Sequence, residues 1–280
     1  MPIQTVDYSA HDAPQRFVQS LRDTGFAVLR NHPLPQALIE RIYARWLDFF
    51  NGDDKAPYRF DPKTQAGWFP PDVSETAKGH ALKDLKEYYH VYTWGPIPES
   101  LKEDALAYHA EASHFAATLL SWIEAALPAE IAAKLSQPLS TMITDSPFTL
   151  LRVLRYPPLT GDEPAGALRA AAHEDINLIT VLPAATGPGL EVKPRGGDWT
   201  PVPFESGALV INVGDMLQEA TGGYLPSTPH RVLNPVGEFA SQSRISLPLF
   251  LHPRGEVVLS ERHTANSYLE ERLRELGVKK

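Results

Sequence analysis

Ten histidines and 34 acidic residues are spread along a 280-residue chain that contains no cysteine. A metal ion here would have to be held by imidazole and carboxylate, because thiolate sites, iron–sulfur clusters and disulfides are all excluded. Two histidines have an acidic residue two places later, His109–Glu111 and His173–Asp175, and chance alone gives about one such pair. Local pattern separates them. His109 and Glu111 fall in a stretch of helical periodicity, where residues two apart face different ways. His173 and Asp175 open the strand-like run AAHEDINLITVL, and on a strand residues i and i+2 share a face. An imidazole and a carboxylate would then project into one cavity. His230, in STPHRVLNP and 57 residues further on, opens another strand-like run and is the candidate third ligand. The competing reading of His230 is a strand-end histidine bonded to backbone. Two His and one carboxylate leave up to three positions open on an octahedral ion, room for a bidentate 2-oxo acid and O2, an arrangement that suits iron(II) oxygenases. Zn(II), Mn(II), Co(II) and Ni(II) accept the same donors.

A second constellation lies in SRISLPLF, where Arg244 and Ser246 share a strand face. A guanidinium beside a hydroxyl makes a receptor for a carboxylate, because Arg can bond both oxygens in its plane. An arginine in so apolar a strand needs a partner, since an unpaired buried charge costs several kcal/mol. The competing partner is a permanent Asp or Glu of the chain itself.

The elements that must carry these residues divide near residue 148. Before it, Phe17, Val18 and Leu21 stop at Gly25, and Leu38, Ile42, Trp46 and Phe49 follow Pro35, which gives two helices with a short strand at Phe26, Val28 and Arg30 between them. Ala105, Tyr108, Ala112, Phe115, Leu119, Trp122 and Ala126 step by threes and fours as one buried helical stripe. Residues 51–100 are rich in Pro, Gly and polar residues and read as irregular. After 148, short apolar runs such as TLLRVLRY, ALVINV and RISLPLFL alternate with Gly and Pro, the pattern of a β-sandwich or barrel. A last helix passes through Tyr268, Leu269, Leu273 and Leu276 to Gly277. The expected architecture is α+β with a mainly β core in one domain over 1–280: a helical part at 1–147, a β core at 148–260 and a terminal helix at 261–280. A net charge of −8 argues against nucleic acid as a partner. No apolar run is long enough for a membrane span. The expected setting is cytoplasmic, as a monomer or homodimer.

Taken in order, these segments resemble the isopenicillin N synthase-like branch of the iron(II)/2-oxoglutarate oxygenases. DTGFAVLRNH (23–32), DLKEYYHV (84–91), LRVLRYPP (151–158), HEDINLITVL (173–182), GLEV (189–192), DWTPV (198–202), GALVINVGDMLQEAT (207–221), HRV (230–232) and RIS (244–246) follow the family order. The resemblance implies a double-stranded β-helix, or jelly roll, with Fe(II) held at its mouth by His173, Asp175 and His230. It implies that Arg244 and Ser246 hold the distal carboxylate of 2-oxoglutarate and that Tyr156 also reaches this cosubstrate. It implies consumption of O2 and hydroxylation or desaturation of a small molecule. Asn212 and Gln218 match family positions and read as supports of the barrel, and Gly214–Asp215 reads as a turn. The chain departs from plant relatives at Leu154, where Asn is common, and at Gly222–Gly223, where Asn-Gly is common.

Two alternatives stay open at this point. Relatives carrying the same Arg-x-Ser pair include oxidases that do not consume 2-oxoglutarate, and a metal-binding jelly roll without turnover would keep the same ligands. For the substrate, strand parity is the available guide. If Tyr156 faces the cavity, so does Arg152, which could receive an acidic group, while Phe250 shares the face of Arg244 and Ser246 and would form an apolar wall. The competing reading pairs Arg152 with a surface carboxylate at the strand edge. Arg155 should point the opposite way.

Overall fold

The β-rich half forms two sheets, and strands from the first half complete the larger of them. The computed structural model describes residues 2–73 and 82–275. The first half supplies β1 (Thr5–Asp7), α1 (Ala13–Thr24), β2 (Phe26–Arg30), α2 (Gln36–Asn51), β3 (Gly67–Phe69), β4 (Glu87–Val91), the long α3 (Glu99–Ala125) and two single-turn helices, α4 (Ala129–Ala132) and α5 (Leu139–Met142). The second half supplies β5 (Leu150–Tyr156), β6 (Ala170–His173), β7 (Ile179–Pro183), β8 (Leu190–Val192), β9 (Thr200–Pro201), β10 (Leu209–Val213) and α6 (Asp215–Ala220). It ends with β11 (His230–Val232), β12 (Arg244–Ser246), β13 (Leu249–Leu251) and α7 (Ala265–Glu275). The expected end of the last helix, at Leu276 and Gly277, lies outside the described residues.

The larger sheet runs β1-β2-β10-β7-β13-β5-β4-β3, with β12 also paired to β5, and the smaller runs β6-β11-β8-β9. Apart from the parallel β1–β2 pair, the named strand pairings are antiparallel. Alternation along β5 explains the layering. Leu151 and Val153 join the core that α1, α2 and α3 lay over one face of the larger sheet, with Phe17, Trp46 and Phe115 among its members. Leu154 and Tyr156 point the other way, where they pack with Phe69 and Tyr88 against Ala170 and Val232 of the smaller sheet. The result is a jelly roll with flanking helices, and its interior is the space that even-numbered residues of β5 face.

Two expectations need correction. The part over 1–147 holds more strand than the one expected at Phe26–Arg30, because β1, β3 and β4 also enter the larger sheet. The stretch 51–100 is not irregular throughout, since β3 and β4 form within it. Every residue of β4 is buried, so the in–out alternation that marks a half-exposed strand is absent there. Glu87 and His90 tolerate burial because Arg155 and Trp68 bond the first and Arg152 and Gln65 bond the second.

Two glycines fix where elements meet. Gly25 ends α1 with φ of 75°, a left-handed conformation that costs glycine little. Gly214 lies between β10 and α6, and a Cβ placed there would come within 2.2 Å of both the carbonyl and the side-chain oxygen of Asn177. Gly214→Ala is therefore expected to destabilise the fold by about 2–3 kcal/mol, since the clash is with backbone and cannot be relieved by a rotamer change. Urea unfolding measures it, and an unchanged midpoint would show that the 177–178 turn yields freely.

Candidate metal centre and its surroundings

His173 and His230 face each other across the β6–β11 pair, with ring centres 4.3 Å apart. The pairing shifts register between His230 and Val232, so β6 carries one extra residue against β11. Such a bulge turns the strand locally, and here it lies beside His173. The Nδ1–H of His173 donates to the Ala171 carbonyl at 2.8 Å, and that of His230 to the Thr228 carbonyl at 3.2 Å. A carbonyl can only accept, so both rings carry their proton on Nδ1 and keep a lone pair on Nε2. Asp175 completes the cluster. Ligand atoms of His173, Asp175 and His230 all lie within 4.8 Å of one another.

Asp175 reaches this place differently from the expectation. β6 ends at His173 and β7 begins at Ile179, so His173 and Asp175 do not share a continuous strand. The carboxylate is aimed by its own bonds instead. Asp175 Oδ2 accepts from Thr180 Oγ1 at 2.6 Å and from Asn212 Nδ2 at 2.8 Å, and the Asp175 carbonyl accepts from the Asp215 amide at 2.7 Å. Oδ1 is left on the histidine side, 3.6 Å from His230 Nε2. Asn212 thus acts directly on the acid rather than only supporting the barrel. Gln218 does support it, because its Oε1 accepts from the Ser227 amide on the approach to His230.

The electrostatics leave His173 and Asp175 ready to bind a cation. Burial pushes the His173 pKa down to about 4, His230 beside it adds to the shift, and Asp175 opposes it. Burial would raise the Asp175 pKa, but His230, His173 and the two side-chain donors outweigh it, and the net direction is down. A neutral imidazole and an ionised carboxylate are the forms that coordinate metal.

Arg244 sits opposite Tyr156 in the β12–β5 pair, with its guanidinium carbon 5.1 Å from the centre of the tyrosine ring. It is 4% exposed. Its Nε donates to the Gly187 carbonyl at 2.9 Å, while Nη1 has no hydrogen-bond partner. Among the described residues no carboxylate forms an ion pair with it, so the permanent acidic partner weighed above is absent there. Ser246 is buried on the same strand. An orphaned guanidinium nitrogen beside a tyrosine and a serine is the chemistry expected of a receptor that awaits a carboxylate.

Arg152 does point inward, as parity predicts. Its guanidinium carbon lies 4.7 Å from the Tyr88 ring centre and 5.3 Å from that of Phe250. Its Nε donates to His90 Nε2 at 2.9 Å, and His90 Nδ1–H donates to the Gln65 carbonyl at 2.8 Å. Phe250 pairs with Thr180 across β13–β7, which places it beside the residue that holds Asp175. Arg155 turns outward and bonds Glu87 at 2.7 Å. Two functional candidates escape the sequence reading. His252 feels both Asp175 and Arg152, and burial pushes its pKa down to about 4. Arg169 is a second buried arginine close to Arg244. The one available signal for it is a cation beside the alanine run AAA with no acid within four residues of it in sequence. His109 is buried against the Thr149 carbonyl, and His263 is buried too; His11 and His114 are exposed.

A jelly roll with a two-histidine, one-carboxylate cluster inside it is the framework of a non-haem iron oxygenase. Comparison with known proteins agrees. A family model described as the 2OG-Fe(II) oxygenase superfamily matches residues 147–253, and one described as the N-terminal part of the non-haem dioxygenase in morphine synthesis matches residues 3–112. A Shewanella oneidensis structure assigned by inference to the oxygenases is 58% identical, with a TM-score of 0.91 and full coverage of both chains. A Caulobacter crescentus structure assigned to the 2OG-Fe(II) oxygenase family is 32% identical, with a TM-score of 0.81 and coverage of 98% of this chain and 99% of that one. A proline hydroxylase of Petromyces alliaceus is 29% identical in an alignment of 265 residues that covers 85% of this chain and 82% of its own. The chain belongs to the 2OG-Fe(II) oxygenase superfamily. It is an oxygenase that uses Fe(II), 2-oxoglutarate and O2.

Proposed function

We propose that His173, Asp175 and His230 hold the iron, that Arg244, Ser246 and Tyr156 receive the distal carboxylate of 2-oxoglutarate, and that the enzyme oxidises a small molecule bearing an acidic group. The observation that carries this reading is the pairing of the convergent donor cluster with a buried arginine that meets no carboxylate among the described residues. When bound, iron(II) supplies O2 activation coupled to the conversion of 2-oxoglutarate into succinate and CO2. The chain's own part is positioning. Thr180 and Asn212 hold one oxygen of Asp175, so only the other is offered to the metal. Leu154, Tyr88 and Phe69 keep the interior dry, which strengthens the charge–charge contacts inside it. Arg152, held by His90 and flanked by Tyr88 and Phe250, takes the acidic group and turns the rest of the substrate toward Asp175. We place the activity in the cytoplasm, a reading supported by a chain without cysteine.

The test begins with anaerobic protein, iron(II) and 2-oxoglutarate, which are expected to give a weak visible charge-transfer band. Small acids and amino acids are then screened for stimulated succinate release. Oxidation of a screened acid without succinate would replace this reading by that of an oxidase, and succinate stimulated only by neutral compounds would remove the acidic group from it. With a substrate in hand, Arg152→Gln is expected to raise its KM about 10- to 100-fold, the scale of one charge-assisted contact. The dissociation constant for 2-oxoglutarate should stay unchanged, and a KM that does not move would take Arg152 out of the substrate site.

A further inference from the structure

Arg169, the residue before β6, is 1% exposed. Its Nη2 donates to the carbonyls of Pro157 at 3.4 Å and Gln242 at 3.1 Å. Pro157 follows Tyr156, and Gln242 lies two residues before Arg244, so this guanidinium sits where the ends of β5 and β12 present the Tyr156–Arg244 pair. Its Nε has no hydrogen-bond partner, and neither does Nη1 of Arg244. Among the described residues neither arginine has a carboxylate partner. Burial first and Arg244 second push the Arg169 pKa down to about 10, so the group stays charged at neutral pH. Backbone carbonyls solvate a guanidinium but cannot neutralise it. Two like charges buried together repel one another, and an anion bound at the idle Nη1 of Arg244 relieves that repulsion and supplies the bond Nη1 lacks.

We propose that Arg169 is a positioning residue for the cosubstrate, whose charge joins that of Arg244 so that the site selects 2-oxo acids carrying a second carboxylate. The proposal rests on the reading that Arg244 and Ser246 receive the distal carboxylate. It assigns to Arg169 a field, not a direct bond to the ligand, and predicts an effect on dicarboxylates alone. The backbone at this position is anchored separately, because the Arg169 amide donates to Asn234 Oδ1 at 2.9 Å and Asn234 Nδ2 donates to the Ala167 carbonyl at 2.8 Å.

The test measures binding by calorimetry on protein loaded with Mn(II), with 2-oxoglutarate and 2-oxopentanoate as probes. The second has the same 2-oxo acid head and chain length but no distal carboxylate. Arg169→Gln is expected to weaken 2-oxoglutarate about tenfold and to leave 2-oxopentanoate within about twofold. Equal weakening of both probes, or of neither, would overturn the proposal. Arg169→Lys keeps the charge and loses the two-carbonyl clip, so its 2-oxoglutarate affinity should stay within about threefold of wild type. A tenfold loss in a normally melting Arg169→Lys protein would also overturn it, which covers the case in which the Gln variant does not fold. If wild type binds no 2-oxoglutarate, the failure lies with the proposed function.

Discussion

His230→Ala is expected to lower metal affinity at least about 100-fold and to abolish 2-oxoglutarate-dependent turnover. Loss of a mere outer partner of a metal ligand already costs about 10- to 100-fold, and here one of the three proposed ligands is removed. His173 and Asp175 would remain, but one imidazole and one carboxylate oxygen hold a divalent ion weakly. The fold should survive. β11 keeps its backbone pairing to β6 and β8, and the side chain gives up its ring contacts with Phe26 and His173, its approach to Asp175 and one bond to the Thr228 carbonyl. A loss of about 1 kcal/mol is the ordinary size for such a change. Calorimetric titration with Mn(II), read beside a thermal melt, separates lost ligation from lost structure. His109→Ala is the control, since its imidazole faces the Thr149 carbonyl on the helix side and should leave metal affinity intact. Retained affinity in His230→Ala, or lost affinity in His109→Ala, would displace the ligand set.

The sequence is informative about this site because its chemistry uses few residue types at short spacing. His173 and Asp175 are two apart, and Arg244 and Ser246 are two apart, so local pattern brings each pair to notice. The reason offered for the first pair holds only in part. The residues do converge, but Asp175 stands in a connection and is steered by Thr180 and Asn212, one of them 37 residues distant. Long-range bonds of that kind leave no local signature. The same limit hides Arg169, whose guanidinium reaches carbonyls 12 and 73 residues away. Parity works best where a strand is regular: along β5 it places Arg152, Leu154 and Tyr156 inside and Arg155 outside, as found. It fails for β4, where side chains on both faces are buried and polar residues are matched by partners from other strands. α1, α2 and α3 are legible because each has one buried stripe. The strand membership of 67–69 and 87–91 is not, because β4 forms by pairing with β5 across a long gap and β3 by pairing with β4 in turn.

Arg244 offers the sharpest trade between stability and function. Its guanidinium is buried, one nitrogen has no partner and no carboxylate of the described residues neutralises it. Burial pushes its pKa down, which is the sign of a charge held at a cost. Replacing such a group by an apolar side chain of similar length is often neutral or stabilising by about 1–4 kcal/mol. Arg244→Met is therefore expected to melt at or above the wild-type temperature when no 2-oxoglutarate is present. The same change should weaken 2-oxoglutarate binding by about 100-fold or more, because two charge-assisted bonds of roughly 1.5–3 kcal/mol each are lost. Ligand at 100 times its dissociation constant stabilises wild type by about 2.7 kcal/mol. At the same concentration the variant should show almost none of that gain, so the order of the two melting curves should reverse on adding cosubstrate. Arg244→Lys keeps the charge but not the planar fork, and should fall between them with a loss of about tenfold. The crossing is the decisive feature. A variant that melts well below wild type without ligand would mean that Arg244 holds the fold together through β12, and a variant that keeps the full ligand-induced shift would mean that the distal carboxylate binds elsewhere.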